Sequence, residues 1–234
     1  MKLLHRFTLL LLLALLAACA GQANEKNNQA PPGSEAPSVT IVEDWIELEG
    51  ARLKFLSAGH QGPMTVLLLH GGRFNSKTWL DLGTIHALAK AKLHVVAVDL
   101  PGFGASPATG LQRSDILPLL VEAIGCERVL LVSPSMSGTF SLPFVIDHSE
   151  LVAGYVPIAP AGIDQYRHSL HEIHVPTWIM WGSADTVFPL QQGKNMAAAI
   201  PGAQLSIYEG ATHPCYLDQP DRFHQELITF ARER

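Results

Sequence analysis

Short apolar runs at 65–69, 94–100, 128–132, 153–159, 177–181 and 204–208 are each cut off by small, polar or turn-forming residues. Most are followed by a stretch with helical spacing, as in Trp79, Leu82, Ile85, Leu88 and Ala89 of 78–91, or in 190–199 and 220–232. A continuous apolar run of this length suits a strand covered on both faces. Strands that alternate with helices pack as one mainly parallel sheet with helices on both sides. The pattern therefore predicts an α/β fold. Residues 39–49 and 52–56 alternate as a hairpin with Glu49-Gly50 at the turn, and 111–124 reads as a further helix containing Pro118. No repeat or second domain is visible.

The run at 128–132 carries the most chemistry. It ends in Ser133-Pro134-Ser135-Met136-Ser137-Gly138, and a helix-compatible segment follows to about His148. A strand that turns sharply into a helix presents one side chain at its apex, above a helix N-terminus whose free N–H groups can receive negative charge. That is the nucleophile-elbow arrangement, usually G-x-S-x-G. Here Ser133 and Ser137 occupy the glycine positions, as small spacers where strand and helix pass closely. By itself the stretch is equally readable as a Ser-rich turn without chemistry.

Ligands of such sheets bind at the carboxyl ends of the strands. The loops there hold His70-Gly71-Gly72-Arg73, Asp99, Ser135, Asp185 and His213. Ser, Asp, His is the chain order of the α/β-hydrolase triad. Ser135 would be the nucleophile, His213 the base and then the acid, and Asp185 the carboxylate that orients the imidazole. Backbone N–H groups of Gly72 and Met136 would form the oxyanion hole. His70 is expected to brace its loop and Arg73 to stand beside it, both at the substrate pocket. Asp99 reads as a strand-end cap. His168, His171 and His174 would lie along one helical face, but the spacing lacks a pattern such as H-E-x-x-H. It reads as a polar helix over the site mouth, so neither metal nor cofactor is expected.

The segments Val66-Leu-Leu-Leu-His-Gly-Gly-Arg-Phe-Asn-Ser-Lys-Thr-Trp79, Asp99-Leu-Pro-Gly-Phe-Gly-Ala-Ser106, Ser133-Pro-Ser-Met-Ser-Gly138, Ser141-Leu-Pro-Phe144 and Gly210-Ala-Thr-His-Pro-Cys-Tyr-Leu-Asp218 together resemble the α/β-hydrolase domain-containing protein 14 family. The resemblance spans about 41–231. It implies the α/β-hydrolase fold, the triad Ser135, Asp185 and His213, and serines at the elbow's glycine positions. It also implies esterase activity, with transfer of an acetyl group from lysine as an associated activity. Only about 15 residues separate Pro160 from Val175, where many such enzymes insert a helical lid. Little or no lid is therefore expected, with an open site that takes short acyl esters. Acyl transfer, deacetylation and a non-catalytic binding module on the same scaffold are the alternatives.

Residues 1–18 read as a signal peptide. Lys2 and Arg6 flank a short apolar segment, too short to span a bilayer, which needs about 20 residues. Leu16-Ala17-Ala18-Cys19 resembles the bacterial lipobox, which implies a lipid on Cys19. Residues 19–38, rich in Gln, Asn and Pro, read as a tether, and 39–234 as the catalytic domain. Ala20 is not the aspartate of inner-membrane retention, so the outer membrane facing the periplasm is the expected location. A net charge of −5 without any Lys/Arg run excludes nucleic acid as a partner. A small acyl ester is the expected substrate and a monomer the expected state. Cys126 and Cys215 fall at opposite ends of parallel strands, too far apart for a disulfide, and are expected to be free thiols.

Overall fold

A computed structural model describes residues 39–234. The expected signal peptide, Cys19 and the expected tether lie outside the described residues. The expected hairpin is β1 (Val42–Leu48) and β2 (Ala51–Ala58), paired antiparallel and closed where Gly50 takes a φ of 81°. The apolar runs follow as β3 (Met64–Leu68), β4 (His94–Val98), β5 (Arg128–Pro134), β6 (Val152–Ile158), β7 (Trp178–Gly182) and β8 (Gln204–Tyr208). Among the described residues they make one eight-stranded sheet in the order β1-β2-β4-β3-β5-β6-β7-β8. Pairing from β4 to β8 is parallel, and β2 joins β4 antiparallel.

The central strands are apolar throughout because both of their faces are covered. Leu67, Val96, Val98, Val129 and Leu131 enter one core cluster. Their neighbours Val66, Leu68, Val95, Leu130 and Val132 enter the other. This is the strand period of two, expressed in two separate cores. The first core is closed by α3 (Arg113–Ile124), α4 (Gly138–Asp147) and α6 (Leu190–Ala199). The second is closed by α1 (Lys77–Asp81), α2 (Thr84–Lys90) and α8 (Pro220–Arg232). Two further helices are single turns, α5 (Ile163–Tyr166) and α7 (Cys215–Asp218).

Two expectations change. The helix expected over 78–91 is two helices, because Gly83 takes a left-handed φ of 81° and starts a new axis at Thr84. The Thr84 hydroxyl then meets His224 Nε2 at 2.9 Å, tying α2 to α8. Residues 168–174 are not a helix either. After α5 the chain makes only a 3-10 turn at Leu170–Glu172, so the three histidines share no helical face. All three are exposed, and no metal-binding group of His, Cys, Asp and Glu is found among the described residues. Between β6 and β7 the chain makes only the single turn α5 and this 3-10 turn, in line with the short spacing. Cys126 is half-buried, Cys215 is buried, and both are free.

The strand order places the site. From β3 the chain crosses to β4 on one side, and then to β5 on the other. At such a reversal the loops diverge and leave a crevice at the carboxyl ends of the strands. The loop after β3 carries Gly71 to Phe74, and the loop after β5 begins at Ser135.

Candidate active site

Pro134 ends β5 in extended backbone, and Ser135 then turns to a φ of +52°. A non-glycine residue held left-handed costs about 1–3 kcal/mol and persists only where its surroundings impose it. Here the Ala161 N–H donates to the Ser135 carbonyl at 2.8 Å. The Ser137 hydroxyl donates to the Pro134 carbonyl at 2.8 Å. A 3-10 turn, Ser135–Ser137, leads directly into α4. The Ser135 side chain is thereby fixed at the apex, and Met136 contributes one of the unpaired N–H groups at the start of the helical segment.

His213, in the loop after β8, reaches Ser135 with Nε2 at 2.9 Å from Oγ. Its Nδ1 lies 2.8 Å from Asp185 Oδ2, in the loop after β7. The Asp185 side chain is 1% exposed and that of His213 12%. Asp185 Oδ1 accepts the N–H groups of Val187 and Phe188, each at 2.8 Å, so both carboxylate oxygens are held. An ionised carboxylate can only accept, which puts the imidazole proton on Nδ1 and leaves Nε2 to accept from the Ser135 hydroxyl. The Phe188 ring stands edge-on to the imidazole, centroids 5.4 Å apart at 78°. The two loops interlock through Gly182, where a β-carbon would collide with the carbonyls of Ala211 and Thr212. The Ala184 N–H donates to the Ala211 carbonyl at 2.9 Å, and Asp218 holds the Thr212 backbone and hydroxyl from below.

The loop after β3 lies across the elbow. A β-carbon at Gly71 would stand 3.6 Å from that of Ser135, and one at Gly72 would stand 3.5 Å from that of Met136. A pocket of about 460 Å³ opens between this loop and the Val187–Phe188 turn, and Ser135 and His213 both line it. Its walls include Phe74, Met136, Ala161 and Phe188. Gly72 and Met136, the two residues expected to supply an oxyanion hole, both line this pocket beside Ser135. A smaller hollow of about 340 Å³, between the β1–β2 hairpin and α3, contains none of these residues.

Residues 66–169 match the profile of the Alpha/beta hydrolase family. ABHD14B of Rattus norvegicus, a candidate protein-lysine deacylase, is 36% identical over 209 residues, which is 84% of this chain and 98% of the relative. The chain belongs to the ABHD14 branch of the alpha/beta hydrolase family. ABHD14A of Danio rerio is 41% identical, over 74% of this chain and 67% of the relative. Among solved structures, a hydrolase from Thermoplasma acidophilum superposes with a TM-score of 0.79 at 25% identity, over 84% of this chain and 100% of that one. Carboxylesterase CesB from Bacillus subtilis shares the fold, with a TM-score of 0.73 at 19% identity over 82% and 92% of the two chains.

Of the residues expected at the site of this hydrolase, the structure brings together Ser135, His213, Asp185, Gly72, Met136 and Arg73. His70 is a correction. It is fully buried, donates from Nδ1 to the Gly71 carbonyl and accepts the Leu100 N–H at Nε2, each at 2.9 Å. Both ring nitrogens are used inside the protein, so His70 braces the loop and does not line the pocket. Burial lowers its pKa, and the Gly71 carbonyl and Asp99 oppose this only in part. Asp99 is the expected cap. It accepts the N–H of Ser76 at 2.7 Å and of Ala105 at 2.8 Å.

Other contributors escape a motif reading. Ser133 donates to Ser141 at 2.7 Å and lies 3.0 Å from Ser137, while Ser141 meets the Tyr155 hydroxyl at 2.8 Å. This buried hydroxyl chain underlies the elbow of the hydrolase. Its signal in the sequence was the lone tyrosine hydroxyl inside the apolar run at 153–159, which had to find a partner. Cys215, two residues after His213, is buried against the core, which pushes its thiol pKa up to about 12.

Proposed function

We propose that this hydrolase cleaves short acyl esters through an acyl-Ser135 intermediate. What carries the reading is the continuous relay from the Ser135 hydroxyl through His213 to Asp185, both contacts under 3 Å, at the edge of an open pocket. Ser135 Oγ attacks the ester carbonyl as its proton passes to His213 Nε2. Asp185 stabilises the imidazolium. The carbonyl oxygen takes up the negative charge beside the Gly72 and Met136 N–H groups, where loss of one donor costs about 3–4 kcal/mol of transition-state stabilisation. Collapse breaks the bond to the alkoxide, which leaves with the proton from His213. Water then gives a proton to His213 and its oxygen to the acyl carbon. The second collapse releases the carboxylic acid and returns the proton to Ser135.

The test is hydrolysis of p-nitrophenyl acetate and longer esters by the full-length chain, beside Ser135→Ala. Turnover that falls with acyl length and disappears in the variant supports the reading. Turnover unchanged in Ser135→Ala removes it.

A second reading is deacylation of an acylated lysine on a protein. The likeness to ABHD14B, whose description is a candidate protein-lysine deacylase, favours it, as does a pocket without an inserted lid. The same steps apply with the lysine amine as leaving group. Release of acetate from an acetyl-lysine peptide, absent in Ser135→Ala, would establish it.

We also propose that the protein is a monomer anchored through a lipid on Cys19 to the outer membrane, facing the periplasm. The apolar leader and Leu16-Ala17-Ala18-Cys19 support the anchor. Cys19→Ser should move the protein from the membrane to the soluble envelope fraction. Unchanged fractionation would end the proposal.

A further inference from the structure

The pocket wall is apolar or uncharged except at two side chains, His213 and Arg73. His213 belongs to the relay, so Arg73 is the one permanent charge of the lining. It is exposed and has neither a carboxylate nor a hydrogen-bond acceptor within reach among the described residues. It directly follows the glycines that touch Ser135 and Met136, so it rises from the loop that crosses the nucleophile.

A second guanidinium touches a residue of the lining. Arg113 Nη1 donates to Thr139 Oγ1 at 3.2 Å, and Thr139 lines the pocket. The Thr139 hydroxyl is itself committed to the Met136 carbonyl at 2.9 Å. Arg113 is the first residue of α3, where the helix dipole disfavours a cation. Its contact with the Phe140 ring, 5.4 Å to the centroid, offsets part of that cost. Arg113 also has no carboxylate partner among the described residues. Thus one unneutralised guanidinium lines the pocket and a second touches a lining residue, in a chain whose acidic residues outnumber its basic ones, 21 to 16. Neither is explained by an ion pair that would stabilise the fold. A guanidinium presents a planar fork of donors that matches a carboxylate or phosphate in two parallel hydrogen bonds.

We propose that the site selects esters that carry an anionic oxyacid group, carboxylate or phosphate, away from the scissile bond, and that Arg73 binds this group with Arg113 in support. The inference rests on the serine-hydrolase reading above and narrows its substrate class. An uncharged short ester fills the apolar wall but leaves both guanidinium groups to water. An anionic ester engages them while its carbonyl lies at Ser135.

The test separates recognition from turnover by using full-length Ser135→Ala protein, which leaves the ester intact. Calorimetric titration compares the mono-aryl ester of adipic acid with its primary-amide analogue, which differs only in charge. A second pair, 4-acetoxyphenyl phosphate and 4-acetoxytoluene, distinguishes phosphate from carboxylate as the favoured group. At least one acid should bind about tenfold or more tightly than its neutral partner, an advantage that shrinks as sodium chloride is raised. Adding Arg73→Gln should abolish the advantage, Arg73→Lys should restore part of it, and Arg113→Gln should reduce it. Equal binding of acid and neutral analogue in both pairs, or an advantage that survives Arg73→Gln, would overturn the proposal. If discrimination is present but the unmodified protein turns over no ester, the hydrolytic reading fails and the anion site stands.

Discussion

Gly138 abuts the Ala161 carbonyl so closely that a β-carbon at position 138 would overlap that oxygen and also press on Pro160. A close passage of helix against loop therefore falls one residue beyond the usual second glycine of the elbow. The hydrogen bond from the Ala161 N–H to the Ser135 carbonyl belongs to the same contact. Gly138→Ala must push α4 away from residues 160–161 and release the backbone that holds Ser135 at positive φ. Forced overpacking typically costs about 1–3 kcal/mol. Urea unfolding of Gly138→Ala should show a loss of that order, with turnover of the proposed ester substrates falling further than stability alone accounts for. Wild-type stability in the variant would refute the contact.

Asp185→Asn isolates the role of the carboxylate charge. The Asn oxygen can keep accepting the Val187 and Phe188 N–H groups, which directs its NH2 toward His213. His213 Nδ1 must then accept, so its proton moves to Nε2, the atom that has to receive the proton of Ser135. On the proposed mechanism turnover should fall by roughly 10⁴-fold, the scale of the same change in a characterised Ser-His-Asp enzyme. Folding should be retained, as read by circular dichroism. Near-normal kcat would mean that the imidazole works without its orienting acid.

The serines of the elbow are more than spacers. Ser133, Ser137, Ser141 and Tyr155 are all buried and joined by contacts of 2.7–3.0 Å. Deleting one hydroxyl leaves a neighbour unpaired where water does not reach, at about 1–3 kcal/mol. Ser141→Ala and Tyr155→Phe should each destabilise by that amount in urea unfolding. The double variant should cost less than the sum, because the two groups satisfy each other. Strict additivity would argue that they act separately.

How much of this was legible depended on the range of the interaction. Strands and the helices at 190–199 and 220–232 follow from local apolar period, and the sheet is built from them with bounds shifted by up to three residues. The order of Ser135, Asp185 and His213 was visible because each sits just past a strand. The break at Gly83 was missed because Leu82 and Ile85 keep the helical spacing across it, and only the left-handed backbone separates the axes. The helix expected over 168–174 failed because Leu170, Ile173 and Val175 are buried one by one against the first core rather than along one stripe. His70 was assigned to the pocket from its neighbours Gly71 and Arg73. Its true partner, the Leu100 N–H, is 30 residues away and no local pattern announces it. Arg113 likewise reaches the lining residue Thr139, 26 positions away, only through the fold.

The same buried histidine predicts acid sensitivity. Burial holds the His70 pKa below its ordinary value of 6.5, so the folded state keeps the ring neutral while the unfolded chain takes up a proton as the pH falls through about 6.5. The unfolded state then binds more protons, and stability drops with falling pH until the lowered folded value is reached. His94 and His224 are shifted in the same direction by burial and add to the slope. Asp218, held low by the Thr212 hydroxyl and N–H, contributes in a separate window, where stability is lost only as the pH falls below the ordinary carboxylate range. His70→Gln, neutral at every pH, removes one of the three imidazole shares. Unfolding free energies measured from pH 7.5 to 4.5 should therefore fall less steeply below pH 6.5 in His70→Gln than in the wild type, whatever the variant's absolute stability. Parallel curves would mean that His70 can be protonated in place, and that its two hydrogen bonds do not fix its neutral form.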